Sequence, residues 1–171
     1  MITWNDDRNG DGYYAAYLCW IKPDGSYGFT NEDGGHDIRF TYTEMSQDAP
    51  DVIRTTDGKG FIAILDEFAQ GSQSWQDLVI QKLDNEGNRP WGDDGIFIED
   101  LQNVESISYA NIEPGNPGQF IIAYQKYRAV FDVTNYYGIL SEKDGSIILG
   151  DTIIEMSPVG HDRSKMELVS N

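Results

Sequence analysis

The stretch 6–13 carries the residues whose types and spacing best fit a chemical site. Oxygen donors alternate along it, as in the first half of a calcium-binding loop, and a glycine follows at the point where such loops turn sharply. Alternate oxygen donors can converge on one hard cation, so this pattern predicts a Ca²⁺ half-loop. The predicted ligands are Asp7, Asn9, Asp11 and the backbone carbonyl of Tyr13.

The second half of a calcium loop does not follow. Leu18 stands where the last acidic ligand belongs, and the residues after it show no helical pattern. Asp, Asn and Gly also favour an ordinary hairpin connection. We therefore keep two interpretations, a Ca²⁺ site and a solvated turn. The acidic runs 31–37 and 93–95 are weaker metal candidates, because they lack the alternating spacing.

The sequence offers no recognisable catalytic motif. Neither His36 nor His161 belongs to a nucleophile or zinc motif, and the single cysteine, Cys19, is flanked by apolar residues that predict a buried strand thiol. Acidic neighbours such as Asp66 and Glu67 are expected by chance among 29 acidic residues. Two inward-facing acids with raised pKa values would nevertheless favour an enzyme.

Aromatic residues outside the apolar stretches suggest a binding surface. They would stack on sugars or peptides, whereas Trp4, Trp20 and Trp91 occupy strand or repeat-equivalent positions and are expected to pack internally. The predicted ligand-binding residues are Trp75, Tyr127 and Tyr27.

Composition and charge exclude two classes of partner. The 171 residues include 29 acidic and 12 basic side chains, for a net charge of −17, so no nucleic-acid partner is expected. No apolar run approaches the roughly 20 residues of a membrane span, and no membrane insertion is expected. The N-terminus lacks the pattern of a signal peptide, which fits either a cytoplasmic chain or an exported one whose signal has been left off.

Short apolar or alternating stretches, separated by Gly, Asp and Asn, predict an all-β chain. No window of a dozen residues keeps the helical period without interruption. The predicted strands are 13–21, 51–55, 61–65, 77–83, 96–98, 120–124, 134–140 and 147–154.

The strand pattern repeats about every 60 residues. The strand residues Trp4, Leu65 and Tyr124 are separated by 61 (65−4) and 59 (124−65) residues, and turn glycines recur at a similar period. Four strands in about 60 residues are typical of a β-propeller blade. The predicted fold is therefore all-β and propeller-like, with three four-stranded antiparallel blades. Their approximate limits are 1–46, 47–101 and 102–157.

These predicted blades are cut out of phase. The first begins at its second strand, and residues 158–171 would supply the inner strand of a further blade or of a partner chain's blade. Because propellers have four to eight blades, three predict contact with neighbouring blades of a larger protein or self-association. A dimer would make the chain half of a six-bladed ring.

The run Trp91-Gly92-Asp93-Asp94-Gly95, which follows the Gln-Lys-Leu-Asp strand and Gly-Asn turn of 81–88, resembles blade repeats in large secreted or surface proteins of Bacteroidetes-type bacteria. The resemblance is good over 51–100 and partial over 1–40 and 101–156. It implies a propeller and an extracellular or cell-surface location, and it brings no catalytic residues. We predict a non-catalytic interaction or scaffold module that binds protein or glycan on a loop face. The alternatives are a polysaccharide-active propeller enzyme with paired carboxylates, and a structural spacer.

Overall fold

All regular structure in the described part of the chain is β-strand, and the all-β prediction is confirmed. The computed structural model describes residues 1–8, 10–31, 33–48, 50–68, 77–99, 106–129, 132–148 and 154–160. The strands are β1 (Ile2–Asp6), β2 (Ala15–Cys19), β3 (Asp37–Arg39), β4 (Ser46–Gln47), β5 (Asp51–Arg54), β6 (Gly60–Phe68), β7 (Asp77–Asp84), β8 (Ile96–Glu99), β9 (Ser106–Pro114), β10 (Gln119–Ala129), β11 (Asp132–Ser141) and β12 (Ile154–Gly160).

The described strands form three antiparallel sheets, each built from strands that follow one another along the chain. The first sheet has the order β1-β2-β3 and the last sheet the order β9-β10-β11-β12. In the middle sheet, β4 and β5 both pair with β6, which continues to β7 and β8. Sequential antiparallel pairing of this kind needs only short connections, in keeping with the many Gly- and Asp-containing turns.

The strand expected at 147–154 can be compared only at its ends, because 149–153 lie outside the described residues. Ile147 makes an isolated bridge to Leu140, and β12 begins at Ile154. The strands β3 and β4 were not predicted. They are three and two residues long, too short for alternation of apolar and polar residues to be visible.

The middle sheet is apolar on both faces, because successive strand residues point to opposite sides. Phe61, Ala63 and Leu65 of β6 pack in one cluster with Ala16 and other residues of the first sheet. The alternate β6 residues Ile62 and Ile64 pack in a second cluster with residues of the last sheet, among them Phe120, Ile122 and Tyr124. One layer of core therefore lies on each side of the middle sheet.

The tryptophans divide between these layers. Trp20 packs against the cluster shared by the first and middle sheets, and Trp91 packs against the other one, as their positions predicted. Trp4 belongs to neither cluster in the described structure, because it shares a face with Tyr17, its partner on β2. This face points away from Ala16 and Leu18, and therefore away from the middle sheet.

All three sheets are oriented in the same sense. We call the face directed toward the preceding sheet the backward face, and the opposite one the forward face. Phe61 on β6 and Phe120 on β10, 59 residues apart (120−61), both lie on backward faces, the first against the first sheet and the second against the middle sheet. The stack is therefore head to tail. The face of the first sheet that carries Trp4 is its backward face.

Polar contacts add to the apolar packing between the middle and last sheets. The Glu142 carboxylate, which is buried, accepts hydrogen bonds from Thr56 N (2.7 Å) and Thr56 Oγ1 (3.0 Å). Thr56 Oγ1 in turn accepts a hydrogen bond from Gly118 N (2.7 Å). The Asp51 carboxylate accepts a hydrogen bond from Ile112 N at 3.1 Å. These contacts fix the position of the last sheet relative to the middle sheet.

We expect truncation on either side of the middle sheet to be costly, since both faces are core. Phe61→Ala should lower the free energy of unfolding by about 3–5 kcal/mol and Ile64→Ala by about 2–5 kcal/mol, measured by urea denaturation. Tyr14→Ala is the control, because this ring is 51% exposed and should cost less than about 0.5 kcal/mol. A loss below about 1 kcal/mol for either core variant would contradict the two-faced core.

Candidate ligand-binding cleft

A polar cleft of about 520 Å³ lies around β3, the outer strand of the first sheet. Its lining comes from five parts of the chain: the connection after β1, the strand β2, the loop before β3, β3 with the residues after it, and the turn after β7. The polar and aromatic residues that line it are Arg8, Tyr17, Thr30, Asn31, Asp33, Asp37, Arg39, Tyr42, Glu86 and Arg89.

Side chains cover the outer edge of β3. The Arg89 guanidinium donates from Nε to the carbonyl of Phe40 (2.9 Å) and from a terminal nitrogen to the carbonyl of Arg39. Asn31 Nδ2 donates to the carbonyl of Asp37 at 3.4 Å. Carbonyls of an edge strand would otherwise attract another chain. These bonds also attach the turn after β7 to the first sheet, which fixes one wall of the cleft.

The loop before β3 is closed by Asn31. Its Oδ1 accepts a hydrogen bond from Gly35 N (2.7 Å), and its own N–H donates to the Gly35 carbonyl (2.9 Å). A Cβ at Gly35 would lie 2.7 Å from Asn31 Nδ2, so a larger residue would displace the Asn31 amide that closes the loop. The Asp33 side chain is thereby held at the cleft without a long flexible connection.

Guanidinium groups and aromatic rings alternate along the cleft. Arg8 lies 3.8 Å from the centre of the Tyr17 ring and pairs with Asp37 (2.8 Å). The Tyr42 ring is contacted by Arg89 at 4.2 Å and by Arg39 at 5.4 Å. Three of the six arginines in the sequence thus line one cleft of an acidic protein. Cation–π contacts of this kind hold the rings in place.

Arg8 forms ion pairs with two neighbouring carboxylates. Its guanidinium also binds Asp6 (2.9 Å) and lowers the pKa of that carboxyl. Burial raises the pKa of the Tyr17 phenol, against the opposing effect of Arg8. Tyr17 therefore stays neutral at physiological pH and Asp6 stays charged.

A second hollow of about 430 Å³ adjoins the cleft and shares Arg8, Asn31, Asp33 and Asp37 with it. Trp4, Cys19, Gly35 and His36 complete its lining, and Trp4 and Cys19 lie on the backward face of the first sheet. Cys19 was expected to be a buried strand thiol. It does lie on β2, but it is only half-buried because this face lacks the apolar cover that the opposite face receives from the middle sheet.

The predicted Ca²⁺ ligands form a hydrogen-bonded turn. Both carboxylate oxygens of Asp7 accept backbone N–H groups, from Asp11 (3.1 Å) and from Gly12 (3.2 Å), and Asp11 Oδ1 accepts Tyr13 N (2.9 Å). Asn9 lies outside the described residues. Within the described part of the chain, no three His, Cys, Asp or Glu side chains are grouped so as to hold a metal ion. Calcium binding at this turn stays a prediction.

The three predicted ligand-binding aromatics are not brought together. Tyr27 is 50% exposed and stacks on His36, with ring centres 3.9 Å apart, so it lies next to the second hollow. Tyr127 is on β10 in the last sheet, where its hydroxyl donates to Gln125 Oε1 (3.0 Å). Trp75 lies outside the described residues.

The residues that do line the cleft were missed by the sequence reasoning. Arg8, Arg39 and Arg89 are separated by 31 (39−8) and 50 (89−39) residues, and no local motif connects them. Tyr42 follows a strand that was itself too short to predict. The one signal was the 31–37 run, whose Asn31 and Gly35 close the loop beside the cleft.

The adjacent acids Asp66 and Glu67 do not form a pair on one surface. Burial, with a smaller effect of Asp48, raises the pKa of Asp66 to about 7. Burial also raises the pKa of Glu67, whose Oε1 accepts hydrogen bonds from Thr43 and Gln47. Consecutive residues of β6 point to opposite faces, however, and Glu67 is fully buried. Asp66 and Glu67 are therefore not placed to act together on one substrate bond.

A comparison with family models, curated proteins and solved structures finds no match to this chain. Among the described residues there is no helix with the length and hydropathy that a membrane crossing requires.

We expect Asp66 to make the protein less stable as pH rises. The ordinary Asp pKa is 3.8 and the folded value is about 7, so between these values the folded state keeps a proton that the unfolded state releases. This contribution is fully present below about pH 4 and is lost as pH rises through 7. Asp66→Asn should remove a slope of up to about 1.4 kcal/mol per pH unit, measured by urea unfolding between pH 5 and 8.

Asp24→Asn is the matched control, since this exposed carboxyl has a lowered pKa, caused by its hydrogen bonds to Ser26. It should leave the decline in stability above pH 5 unchanged. An Asp66→Asn variant with the wild-type pH dependence would show that the buried carboxyl does not cause this decline.

Proposed function

We propose that the chain is a non-catalytic binding module and that the cleft around β3 binds a glycan. The observation that carries the proposal is the Tyr42 ring, which is 54% exposed within a polar cleft and is contacted by two guanidinium groups. An exposed ring can stack on the C–H face of a sugar. Carboxylates, amides and guanidinium groups around it can hydrogen-bond the hydroxyls.

The size and rigidity of the cleft support the same proposal. A volume of about 520 Å³ is within the range of small-molecule sites. The loop closed by Asn31 and the turn attached by Arg89 present the lining without further ordering, which reduces the entropy lost on binding. The cleft is lined mainly by polar donors and acceptors, whereas a large protein ligand would be expected to bind a flat apolar surface.

We further propose that the three sheets are propeller blades of an exported bacterial protein. Their sequential strand order and head-to-tail packing are what a radial stack of blades requires. The resemblance to bacterial blade repeats supports an extracellular or cell-surface location. A polysaccharide-active enzyme is less well supported, because Asp66 and Glu67 face opposite sides of the middle sheet.

The glycan proposal is tested by screening the chain against a panel of neutral and uronic-acid-containing oligosaccharides, followed by titration calorimetry of those that bind. We expect Tyr42→Ala to weaken binding at least tenfold, about 1.4 kcal/mol, through loss of the stacking ring. Tyr14→Ala, which removes an equally exposed ring outside the cleft, should leave affinity unchanged.

Two results would overturn this proposal. One is the absence of binding to any oligosaccharide of the panel by folded wild-type protein, which would favour a protein ligand or a structural spacer. The other is wild-type affinity in Tyr42→Ala, which would place the ligand elsewhere on the molecule.

A further inference from the structure

We infer that the backward face of the first sheet is a docking surface for the last sheet of a second copy of this chain. The inference goes beyond the glycan proposal and does not depend on it. It rests on the way in which the three sheets pack on one another.

The first step is the head-to-tail packing itself. The backward face of the middle sheet packs on the forward face of the first, and the backward face of the last sheet packs on the forward face of the middle one. A heterologous contact of this type leaves one unmatched face of each kind at the two ends of the stack. Among the sheets that the structure describes, these are the backward face of the first sheet and the forward face of the last sheet.

The second step is an aromatic stack that occurs on two backward faces. Trp4 and Tyr17 are cross-strand partners with ring centres 5.9 Å apart and planes 18° apart. Tyr124 and Tyr136, at corresponding positions 120 (124−4) and 119 (136−17) residues later, are 5.3 Å and 14° apart. In the last sheet this stack packs against the middle sheet, and Tyr124 is fully buried.

In the first sheet Tyr17 is also buried, at 6% exposure, but its partner Trp4 is only half-buried. The Arg8 guanidinium lies over Tyr17, while Ile2, on the same face, is 54% exposed, and Cys19, its cross-strand partner, is half-buried. The backward face of the first sheet is thus built like the backward face of the last sheet, which packs inside the chain. Unlike that face, it retains accessible apolar surface. Arg8 is already paired with Asp37, so covering it would not leave an unpaired charge.

The third step identifies the occupant. Inside the chain, each backward face packs on the forward face of the preceding sheet. A second copy offers such a forward face on its last sheet. Ile121, Tyr137 and Ile139 lie on it, and each retains partial exposure. Docking it on Ile2 and Trp4 would continue the existing sheet packing. Two copies would unite six sheets, which is within the four to eight blades of closed propellers.

The experiment measures the molar mass of the 171-residue chain by sedimentation at concentrations up to about 100 µM, the range in which micromolar contacts are populated. We expect a mass of twice 19.3 kDa. Trp4→Asp and Ile2→Asp on the backward face, and Tyr137→Asp on the forward face, should each give monomers. Tyr14→Asp, outside both faces, should remain dimeric, and circular dichroism checks that every variant is folded.

A mixing experiment tests the pairing of the two faces. Trp4→Asp combined with Tyr137→Asp should form mixed dimers, because one of the two contacts in such a pair is intact on both sides. The single thiol, Cys19, should react with a maleimide more slowly in the dimer than in either monomeric variant.

Three outcomes would overturn the inference. The first is a wild-type chain that stays at 19.3 kDa at the highest concentration. The second is a dimer that Trp4→Asp and Ile2→Asp dissociate but Tyr137→Asp does not, since the backward face would then meet a different surface. The third is a folded pair of variants that does not associate on mixing. Arg8 and Tyr17 lie on this face and also line the cleft, so oligosaccharide binding through Tyr42 is measured separately on the Tyr137→Asp variant, in which both are uncovered.

Discussion

Burial of β6 on both of its faces is the constraint on which the other sheets depend. A strand between two layers cannot alternate apolar and polar residues, because each side chain points into one core or the other. The run Phe61 to Leu65 is accordingly apolar throughout, and these side chains are almost completely inaccessible. The outer sheets supply one apolar face each to cover it. Their positions on the two sides of the middle sheet follow from this central requirement.

The cleft follows from the asymmetry that this arrangement gives to the first sheet. One face of β2 is committed to the core through Ala16 and Leu18, while Tyr17 between them points the other way. Among the described residues no other sheet packs on that side, and Tyr17 is buried there beneath the Arg8 guanidinium. Arg89 then joins the middle sheet to the open edge of β3. The site is therefore assembled where the core packing ends.

The sequence was sufficient for the longer elements and insufficient for the site. Strands such as β6 and β7 were predictable, because five or more residues show either alternation or a continuous apolar run. The strand β3 has three residues, and its neighbours in the cleft arrive from positions up to 81 residues apart (89−8). Such convergence is a product of sheet register and inter-sheet packing, neither of which leaves a local pattern. The Asp7 turn is the reverse case, because there a clear local pattern coincides with a local structure, in which Asp7 accepts hydrogen bonds from two backbone N–H groups.

Part of the net charge of −17 comes from aspartates that form hydrogen bonds within their own turns. Asp24 and Asp144, 120 residues apart (144−24), each accept two hydrogen bonds from a serine two positions later, and Asp57 bonds Thr55 and Lys59 N in a third turn. These bonds lower the pKa values of all three carboxyls, so the stability they contribute is present above the unfolded pKa and is lost as pH falls. Buried Asp66 acts in the opposite direction. The exposed Asp24, Asp57 and Asp144 therefore shape turns, whereas Asp66 limits stability at neutral pH.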